Sequence, residues 1–315
     1  MPQGSVLSPL LFNIYMKPLG EIIHGFGVRC HLYTDETQLY ISTPNHPSEA
    51  VEVMSRCLEA VWVWMGKNRL QLNPAKTEWL WMPASRYNQL RPSLTVGGKS
   101  LAPTEKVRNL GVLLDAWLSL EEHMTAVARG AFYLVRLIRQ LRPFLDRDSL
   151  CTVTHALVTS RLDYCNALYM GLPLKNTWRF QLVQNVAAWV LEGAARSSHI
   201  KPILRRLHWL PVAFWVQIKV LVLTFKALHG LGPGYLWDHL LLPVASHRPV
   251  RSHREGLLRL PSARQCRLAT PSGRAFSAGA PALWNELPPG IRQLPDIRAF
   301  RCELKTLLFH RVGLA

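Results

Sequence analysis

The chain is built around ten residues, Leu32-Tyr33-Thr34-Asp35-Glu36-Thr37-Gln38-Leu39-Tyr40-Ile41. Apolar and polar residues alternate on both sides of an acidic centre, which predicts a β-hairpin with Asp35 and Glu36 as its two-residue turn. In that register one mostly apolar face is formed by three cross-strand pairs, Thr34 with Thr37, Leu32 with Leu39 and Cys30 with Ile41. The other face carries four residues that can reach solvent: His31, Tyr33, Gln38 and Tyr40.

Two adjacent acids at a turn need something to offset their repulsion. Two-residue hairpin turns favour Asn-Gly or Asp-Gly. Two carboxylates about 4 Å apart repel by roughly 4 kcal/mol at an effective dielectric of about 20. A divalent cation would offset this repulsion, and oxygen ligands suit Mg²⁺ or Mn²⁺. Asp35 and Glu36 are therefore candidate metal ligands, and a solvated acidic turn is the alternative.

Four blocks of the chain resemble a known family and occur in its order. The first is Met1-Pro2-Gln3-Gly4-Ser5-Val6-Leu7-Ser8-Pro9-Leu10-Leu11-Phe12-Asn13-Ile14-Tyr15. It resembles the P-Q-G-S-V-L-x-P-L-L-F-N-I-Y block of LINE-type (non-LTR) retrotransposon reverse transcriptases, most closely the jockey-like group. Tyr33-Thr34-Asp35-Glu36 is similar to the Y-A-D-D hairpin that follows. Residues 68–78 resemble the N-x-L-x-L-N-x-x-K-T-E block, and residues 107–115 the next strand.

The resemblance implies RNA-templated DNA synthesis by two-metal phosphoryl transfer, with an RNA template and a DNA primer as partners. It makes Asp35 and Glu36 the catalytic, metal-binding pair. Lys76 would protonate the leaving pyrophosphate, or is a plain surface lysine. Gln3 and Gly4 would position template and incoming nucleotide, and Tyr33 would lie at the nucleotide.

This chain departs from the family pattern at two points. Glu36 stands where the family has a second aspartate, and its extra methylene displaces the carboxylate. In full-length relatives a strand with the other catalytic aspartate precedes the P-Q-G block, and we expect that strand to be absent here. The chain alone is then expected to bind Mg²⁺ or Mn²⁺ weakly or not at all and to be inactive. The alternatives are a non-catalytic nucleic-acid-binding remnant and a translated relic without a role.

The periodicity predicts an α+β protein in three regions. Residues 1–120 are expected to form a partial polymerase palm, an antiparallel sheet from residues 29–42, 77–82 and 106–114 with covering helices. From His123 the period changes to 3.6 residues, which predicts a mainly helical, thumb-like region over 121–230. In it Asp148 would cap the second helix. Residues 231–315 are expected to be an irregular, basic C-terminal region.

The net charge of +17 is concentrated after residue 120. Residues 1–120 carry 11 Lys or Arg and 9 Asp or Glu, whereas residues 121–315 carry 26 and 11, a net of +15. Arginine supplies 21 of those 26 cations, which suits contact with phosphates and bases. We therefore expect Arg136 and Arg139, on the polar face of the first thumb helix, to bind nucleic acid. Arg205 and Arg206, in a basic and aromatic stretch ending at Trp209, are expected to do the same. The alternatives are a solvated basic surface and, for Trp209, a ring that only caps the buried helix following Pro211.

The cysteines, the most apolar window and the N-terminal residues bear on metal binding, membrane insertion and cellular compartment. Six cysteines fall at no metal-ligand spacing, which predicts free thiols and no structural zinc. The most apolar window, residues 209–228, is interrupted by Lys219 and Lys226, so a buried helix is expected in place of a membrane span. With no signal peptide, we expect an intracellular protein of the nucleus or cytoplasm that is not secreted.

Overall fold

The computed structural model describes residues 5–42, 47–73, 75–83, 91–241, 256–261 and 273–314. The chain divides into two compact units, Met1–Trp117 and Leu118–Ala315. The described part of the first unit combines helices with small antiparallel hairpins, and that of the second is helical. A mixed α and β chain is thereby confirmed.

The first unit places its helices before and between short hairpins. Its described elements are α1 (Ser8–Gly25), β1 (Arg29–Tyr33), β2 (Glu36–Tyr40), α2 (Pro47–Lys67), β3 (Leu94–Val96), β4 (Lys99–Leu101), β5 (Lys106–Asn109) and β6 (Val112–Asp115). Pro9 lies in the first turn of α1, where an amide hydrogen would have no helical acceptor, so proline fits there. Each strand pairs antiparallel with its sequence neighbour.

The expected single palm sheet is wrong for the described residues. They form three separate two-stranded sheets, β1–β2, β3–β4 and β5–β6. Residues 77–82 contribute no strand, and Leu80 makes only an isolated parallel bridge with Thr104. The expected strand over 106–114 doubles back at Leu110 and Gly111, whose φ angles are 44° and 82°. Two consecutive positive φ angles are the signature of a tight hairpin turn, and glycine makes the second accessible.

The core of the first unit lies between α1, α2 and the inner faces of the hairpins. Its buried side chains are Met16, Leu19, Ile23, Val28, Met54, Cys57, Leu58, Val61, Leu94 and Val96. Cys30, Leu32 and Leu39 of the first hairpin pack against this cluster. Burial, and then the nearby Cys30, raises the pKa of the Cys57 thiol to about 11, so the thiol is neutral and behaves as a small apolar side chain.

The regular secondary-structure elements described in the second unit are all helices. Its helices are α3 (Glu121–Leu141), α4 (Arg147–Thr154), α5 (Ser160–Asp163), α6 (Leu174–Glu192), α7 (Ile200–Arg206), α8 (Val212–Leu228), α9 (Gly234–Leu240), α10 (Phe276–Asn285), α11 (Pro289–Arg292) and α12 (Ile297–Val312). A π-helical segment, His155–Thr159, joins α4 to α5. None of the described helices is both long and apolar enough to cross a membrane.

The C-terminal region is helical in its described part, so the expected irregular structure is wrong there. Phe300, Leu304 and Leu308 recur every four residues and are fully buried along α12. The Phe300 ring stacks on Phe225 of α8 with centroids 4.4 Å apart. This apolar stripe explains why α12 forms, because helices in proteins are stabilised mainly by packing such a face.

The cap of α4 differs from the expected one by two residues. Asp146, with extended φ and ψ of −67° and 170°, accepts a hydrogen bond of 2.7 Å from the Ser149 amide. The bonds from Ser149 and the weaker one from Asp148 lower the pKa of the Asp146 carboxyl. Asp148 is instead inside the first turn of α4, where a negative charge is favourable but the side chain is not the cap.

The Gly97-Gly98 turn between β3 and β4 offers a matched pair of substitutions. Gly97 has φ +53° and Gly98 has φ +75°, and a Cβ on Gly97 would lie 3.0 Å from the Trp62 ring, whereas one on Gly98 meets nothing within 4 Å. Gly98→Ala should cost about 1 kcal/mol of unfolding free energy from backbone strain alone. Gly97→Ala should cost about 2 kcal/mol or more because the ring must also move. Urea denaturation of both variants measures the difference, and equal losses would contradict the packing of Trp62 on this turn.

Candidate active site and basic helical surfaces

The β1–β2 hairpin turns one residue earlier than expected. Tyr33 pairs with Glu36, and Leu32 with Thr37, so the two turn residues are Thr34 and Asp35. The expected register, with Leu32 opposite Leu39, is therefore wrong by two residues on β2. Because side chains alternate with a period of two, this slip leaves the paired strand residues on their predicted faces, whereas Thr34 moves into the turn. Cys30, Leu32, Thr37 and Leu39 are half-buried on the inner face.

The turn is held in an unusual backbone conformation at Thr34. Its φ is +51°, in the left-handed region that β-branched residues rarely adopt. The Thr34 hydroxyl lies 2.7 Å from the Tyr33 carbonyl and 3.0 Å from Asp35 Oδ1, so it can donate to either oxygen. When it donates to Oδ1, it restrains the Asp35 carboxylate at the tip. Backbone strain stored next to a candidate catalytic residue is a known feature of functional sites.

The two candidate metal ligands occupy different kinds of position. Asp35 is in the turn, whereas Glu36 is the first residue of β2 and faces Tyr33 across the hairpin. Both acids and Tyr33 are exposed. The expectation that the two acids share the turn is thus wrong, because the observed register places Glu36 in β2 opposite Tyr33. Directly opposed residues have Cβ atoms about 5 Å apart, so the Tyr33 ring flanks the Glu36 side chain.

The outer face of the hairpin is ordered by polar contacts. His31 and Tyr40 stack with ring centroids 5.6 Å apart. The Gln38 side-chain amide donates to Asn109 Oδ1, at the end of β5, and so links two of the separate hairpins. Beside this link, the Arg108 amide donates to Glu78 Oε2 at 3.4 Å. The hairpin that carries the acids is thereby fixed on its outer face as well as its inner one.

Lys76 lies in a turn organised by Asn73. The Lys76 and Thr77 amides donate to the Asn73 carbonyl at 3.1 Å, and Asn73 Oδ1 accepts from the Ala75 amide at 3.1 Å. Lys76 is exposed, and within the described residues it forms no ion pair with Asp35 or Glu36. Its role in proton transfer stays a prediction. Gln3 and Gly4 lie outside the described residues.

The donor chemistry at the hairpin suits a hard divalent cation. Two exposed carboxylates next to each other in sequence supply the oxygen ligands that Mg²⁺ and Mn²⁺ prefer. In the part of the chain that the structure describes, no group of three or more His, Cys, Asp or Glu side chains is placed to hold a metal ion. Asp35 and Glu36 are thus the residues that would contribute to such a site.

The candidate nucleic-acid-binding arginines of α3 lie on its exposed face. Arg136 and Arg139 are exposed, while Met124, Ala131 and Ile138 of the same helix are buried, as the helical period predicts. Arg136 also lines a groove between α3 and α6, described below. Sequence reasoning missed this groove, although the signal was present: its α3 residues recur at intervals of three and four from Thr125 to Arg136.

The basic stretch at α7 differs from the expected binding surface in its aromatic part. Trp209 is only 8% exposed and packs against His155, so it cannot stack on a base, and its burial supports the alternative that it caps the buried helix after Pro211. Arg205 and Arg206 are exposed in the last turn of α7. Arg206 Nε lies 3.1 Å from Glu192 Oε2, and Arg147 lies 2.9 Å from the other oxygen of the same carboxylate.

The sequence blocks of the first unit lie in a region that matches a known protein family. Residues 1–114 match the family described as reverse transcriptase (RNA-dependent DNA polymerase). The first unit is therefore similar to a reverse transcriptase domain over nearly its whole length.

Two relatives of the chain are described as RNA-directed DNA polymerases of a transposon and of a mobile element. The chain is 28% identical over 200 residues to a probable RNA-directed DNA polymerase from transposon BS of Drosophila melanogaster, covering 59% of this chain and 21% of the relative. It is 28% identical over 179 residues to the RNA-directed DNA polymerase from mobile element jockey of Drosophila funebris, covering 54% and 19%. The chain thus spans about a fifth of the length of these relatives. No solved structure matches it.

The strain at Thr34 gives a stability prediction for the turn. Asparagine adopts the left-handed region more readily than a β-branched residue, so Thr34→Asn should raise the free energy of unfolding by about 0.5–1 kcal/mol. The control is Thr37→Asn in β2, where the residue is half-buried in extended backbone and asparagine is disfavoured, so that variant should lose stability. Urea denaturation midpoints compare the two. A destabilised Thr34→Asn protein would contradict the turn conformation.

Proposed function

We propose that the first unit supplies the catalytic hairpin of an RNA-directed DNA polymerase of the non-LTR retrotransposon class. The observation that carries the proposal is the exposed Asp35 and Glu36 pair at the end of a hairpin whose half-buried inner face packs on the core, inside a region that matches reverse transcriptases. The carboxylates would hold one side of a two-metal site. Bound Mg²⁺ or Mn²⁺ would activate the primer hydroxyl and neutralise the triphosphate.

The chain's own residues would have distinct tasks in this reaction. Asp35, restrained by the turn and by Thr34, would be the fixed ligand, and Glu36 would be the second. Tyr33, exposed beside Glu36, would present a flat surface to the incoming nucleotide. Lys76 would donate a proton to the leaving pyrophosphate. Gln3 and Gly4 would position template and nucleotide, as the matching P-Q-G block of relatives does.

A complete site would require a further polymerase segment. Two-metal nucleotidyl transfer uses carboxylates from a second strand, and the Asp35–Glu36 hairpin provides only one side. The surface of α1 is consistent with such a segment. Leu7, Leu10, Leu11 and Ile14 follow one another along one side of the helix start and are 43–59% exposed. A contiguous apolar stripe of this kind normally marks a surface that packs against protein. We therefore propose that residues 1–315 by themselves are inactive.

The second unit would hold the primer and template. It carries 15 of the 17 net positive charges, and α3 and α7 expose arginines to solvent. The same observation favours a second candidate function, a nucleic-acid-binding module without chemistry, which differs from the first in needing neither Asp35 nor a metal ion.

Primer extension on an RNA template with Mg²⁺ or Mn²⁺ tests the catalytic proposal. Residues 1–315 should incorporate no nucleotide, and Glu36→Asp alone should not change this. Grafting the fingers and upstream palm of a longer relative ahead of Met1 should restore synthesis, because it supplies the second side of the metal site. In that graft Glu36→Asp should raise the rate further.

Asp35→Ala in the graft should abolish synthesis, and Asp148→Ala, which removes an exposed carboxylate from α4, is the matched control that should retain it. Nucleotide incorporation by the ungrafted chain that Asp35→Ala stops would contradict the proposed inactivity. A graft that binds primer and template but extends nothing would favour the non-catalytic function.

Salt dependence of binding tests the role of the second unit. Log affinity of the whole chain for RNA or DNA should fall with log salt at a slope of about −0.7 to −0.9 per phosphate contacted. Arg205→Gln should reduce the slope by about one such contact. Arg206→Gln, next to it, should reduce the slope less, because its guanidinium already contacts Glu192. Titrations at several salt concentrations measure both, and a salt-independent affinity would count against nucleic-acid binding by this surface.

A further inference from the structure

A groove of about 460 Å³ runs between α3 and α6 in the second unit. From α3 it is lined by Arg129, Phe132, Tyr133 and Arg136, and each of these lies three or four residues from another, which places them on one side of the helix. These positions span about 10 Å of helix at 1.5 Å per residue. Leu182 of α6 lines the opposite side, and Ala128 contributes to the apolar lining. The groove is therefore long enough to hold a small planar ligand.

The charges that line the groove all have one sign. They belong to Arg129, Arg136 and Arg179, and no acidic residue is among the lining residues. Arg179 is held in place, because it donates to the Thr125 hydroxyl and its Nη2 lies 3.8 Å from Glu121 Oε1. Arg129 and Arg136 are exposed. Guanidinium groups are weakly hydrated and donate to phosphate in a fixed planar geometry, so the groove is complementary to an anion of that kind.

The same groove presents aromatic rings to solvent. Tyr133 is 60% exposed and Phe132 is 38% exposed. Exposed rings interleaved with arginines along one helix face match what a single nucleic-acid strand requires, since bases stack on the rings while the backbone follows the cations. A duplex keeps its bases stacked on one another and offers the rings nothing to stack on. A helical peptide is about 10–12 Å across, so it fits a groove of this size poorly.

We propose that the groove between α3 and α6 binds one unpaired nucleotide of an RNA or DNA strand. The base stacks on Tyr133 and lies against Phe132 and Leu182, and the adjacent phosphates bind Arg129 and Arg136. This inference rests on the proposed nucleic-acid function of the second unit. It specifies in addition that the ligand is an unpaired strand. It gives the helical surface a preference for single strands over duplex that net charge alone would not produce.

The test uses the full chain and a short RNA strand containing one 2-aminopurine. Stacking of this fluorescent base on Tyr133 should quench it on binding. Tyr133→Ala should remove the quenching and weaken single-strand affinity by about 5- to 100-fold, and Tyr133→Phe should restore both. Affinity for a duplex of the same sequence should change less than about two-fold. Phe144→Ala is the matched control, since Phe144 is 83% exposed just beyond α3 and does not line the groove.

The cations are tested in parallel. Arg129→Gln with Arg136→Gln should lower the salt slope for the single strand by about 1.4, two phosphate contacts, whereas Arg298→Gln with Arg301→Gln on α12 should lower it less. Unchanged quenching and affinity in Tyr133→Ala would overturn the inference. So would displacement of the strand by an acidic peptide of equal charge as readily as by unlabelled RNA. Either result would leave the polymerase proposal standing, because primer extension by the grafted chain tests that separately.

Discussion

The first unit depends on burial of one face of the β1–β2 hairpin. Cys30, Leu32 and Leu39 pack on the cluster that α1 and α2 form, and Leu32 approaches α1 closely enough that a Cβ on Gly20 would lie 3.8 Å from it. Because strand side chains alternate, a one-residue slip would turn these apolar groups to solvent and polar ones to the core. A two-residue slip leaves the burial unchanged. Burial in the core therefore determines which face of the hairpin points inward. It does not distinguish registers that differ by two residues, so the conformation of the turn determines the register.

This division explains what the sequence could predict. The alternation of residues 32–41 identified both faces of the hairpin correctly, since burial follows period. It misplaced the turn, because neither Thr34-Asp35 nor Asp35-Glu36 is a preferred turn pair and the left-handed Thr34 has no sequence signal. By contrast, Leu110-Gly111 does carry a signal for a hairpin turn, a glycine inside an apolar run, which the prediction of one continuous strand over 106–114 overlooks.

In the second unit the change to a helical period predicted the helix α3 but not what its exposed face adjoins. The groove with α6 depends on two helices separated by more than thirty residues in sequence, so its arginines and rings become one surface only after folding. The stretch ending at Trp209 shows the converse, that residues near one another in sequence do not always form one surface. Its basic and aromatic residues are adjacent in sequence, yet the ring is buried beside His155 while Arg205 and Arg206 are exposed. Nearness in sequence is a poor guide to a shared surface when a helix ends between the residues.

The register also makes the two acids unequal as ligands. Asp35 has a short side chain, sits in a two-residue turn and lies 3.0 Å from the Thr34 hydroxyl, so few of its conformers remain free. The Glu36 side chain leaves the strand opposite Tyr33 with one more rotatable bond, and within the described residues its carboxylate has no hydrogen bond. Catalytic groups must hold their position to within about 0.5 Å, which favours side chains restrained before the ligand arrives. The hairpin thus presents one pre-organised carboxylate and one that a bound cation would have to order, and the entropy of that ordering weakens the site.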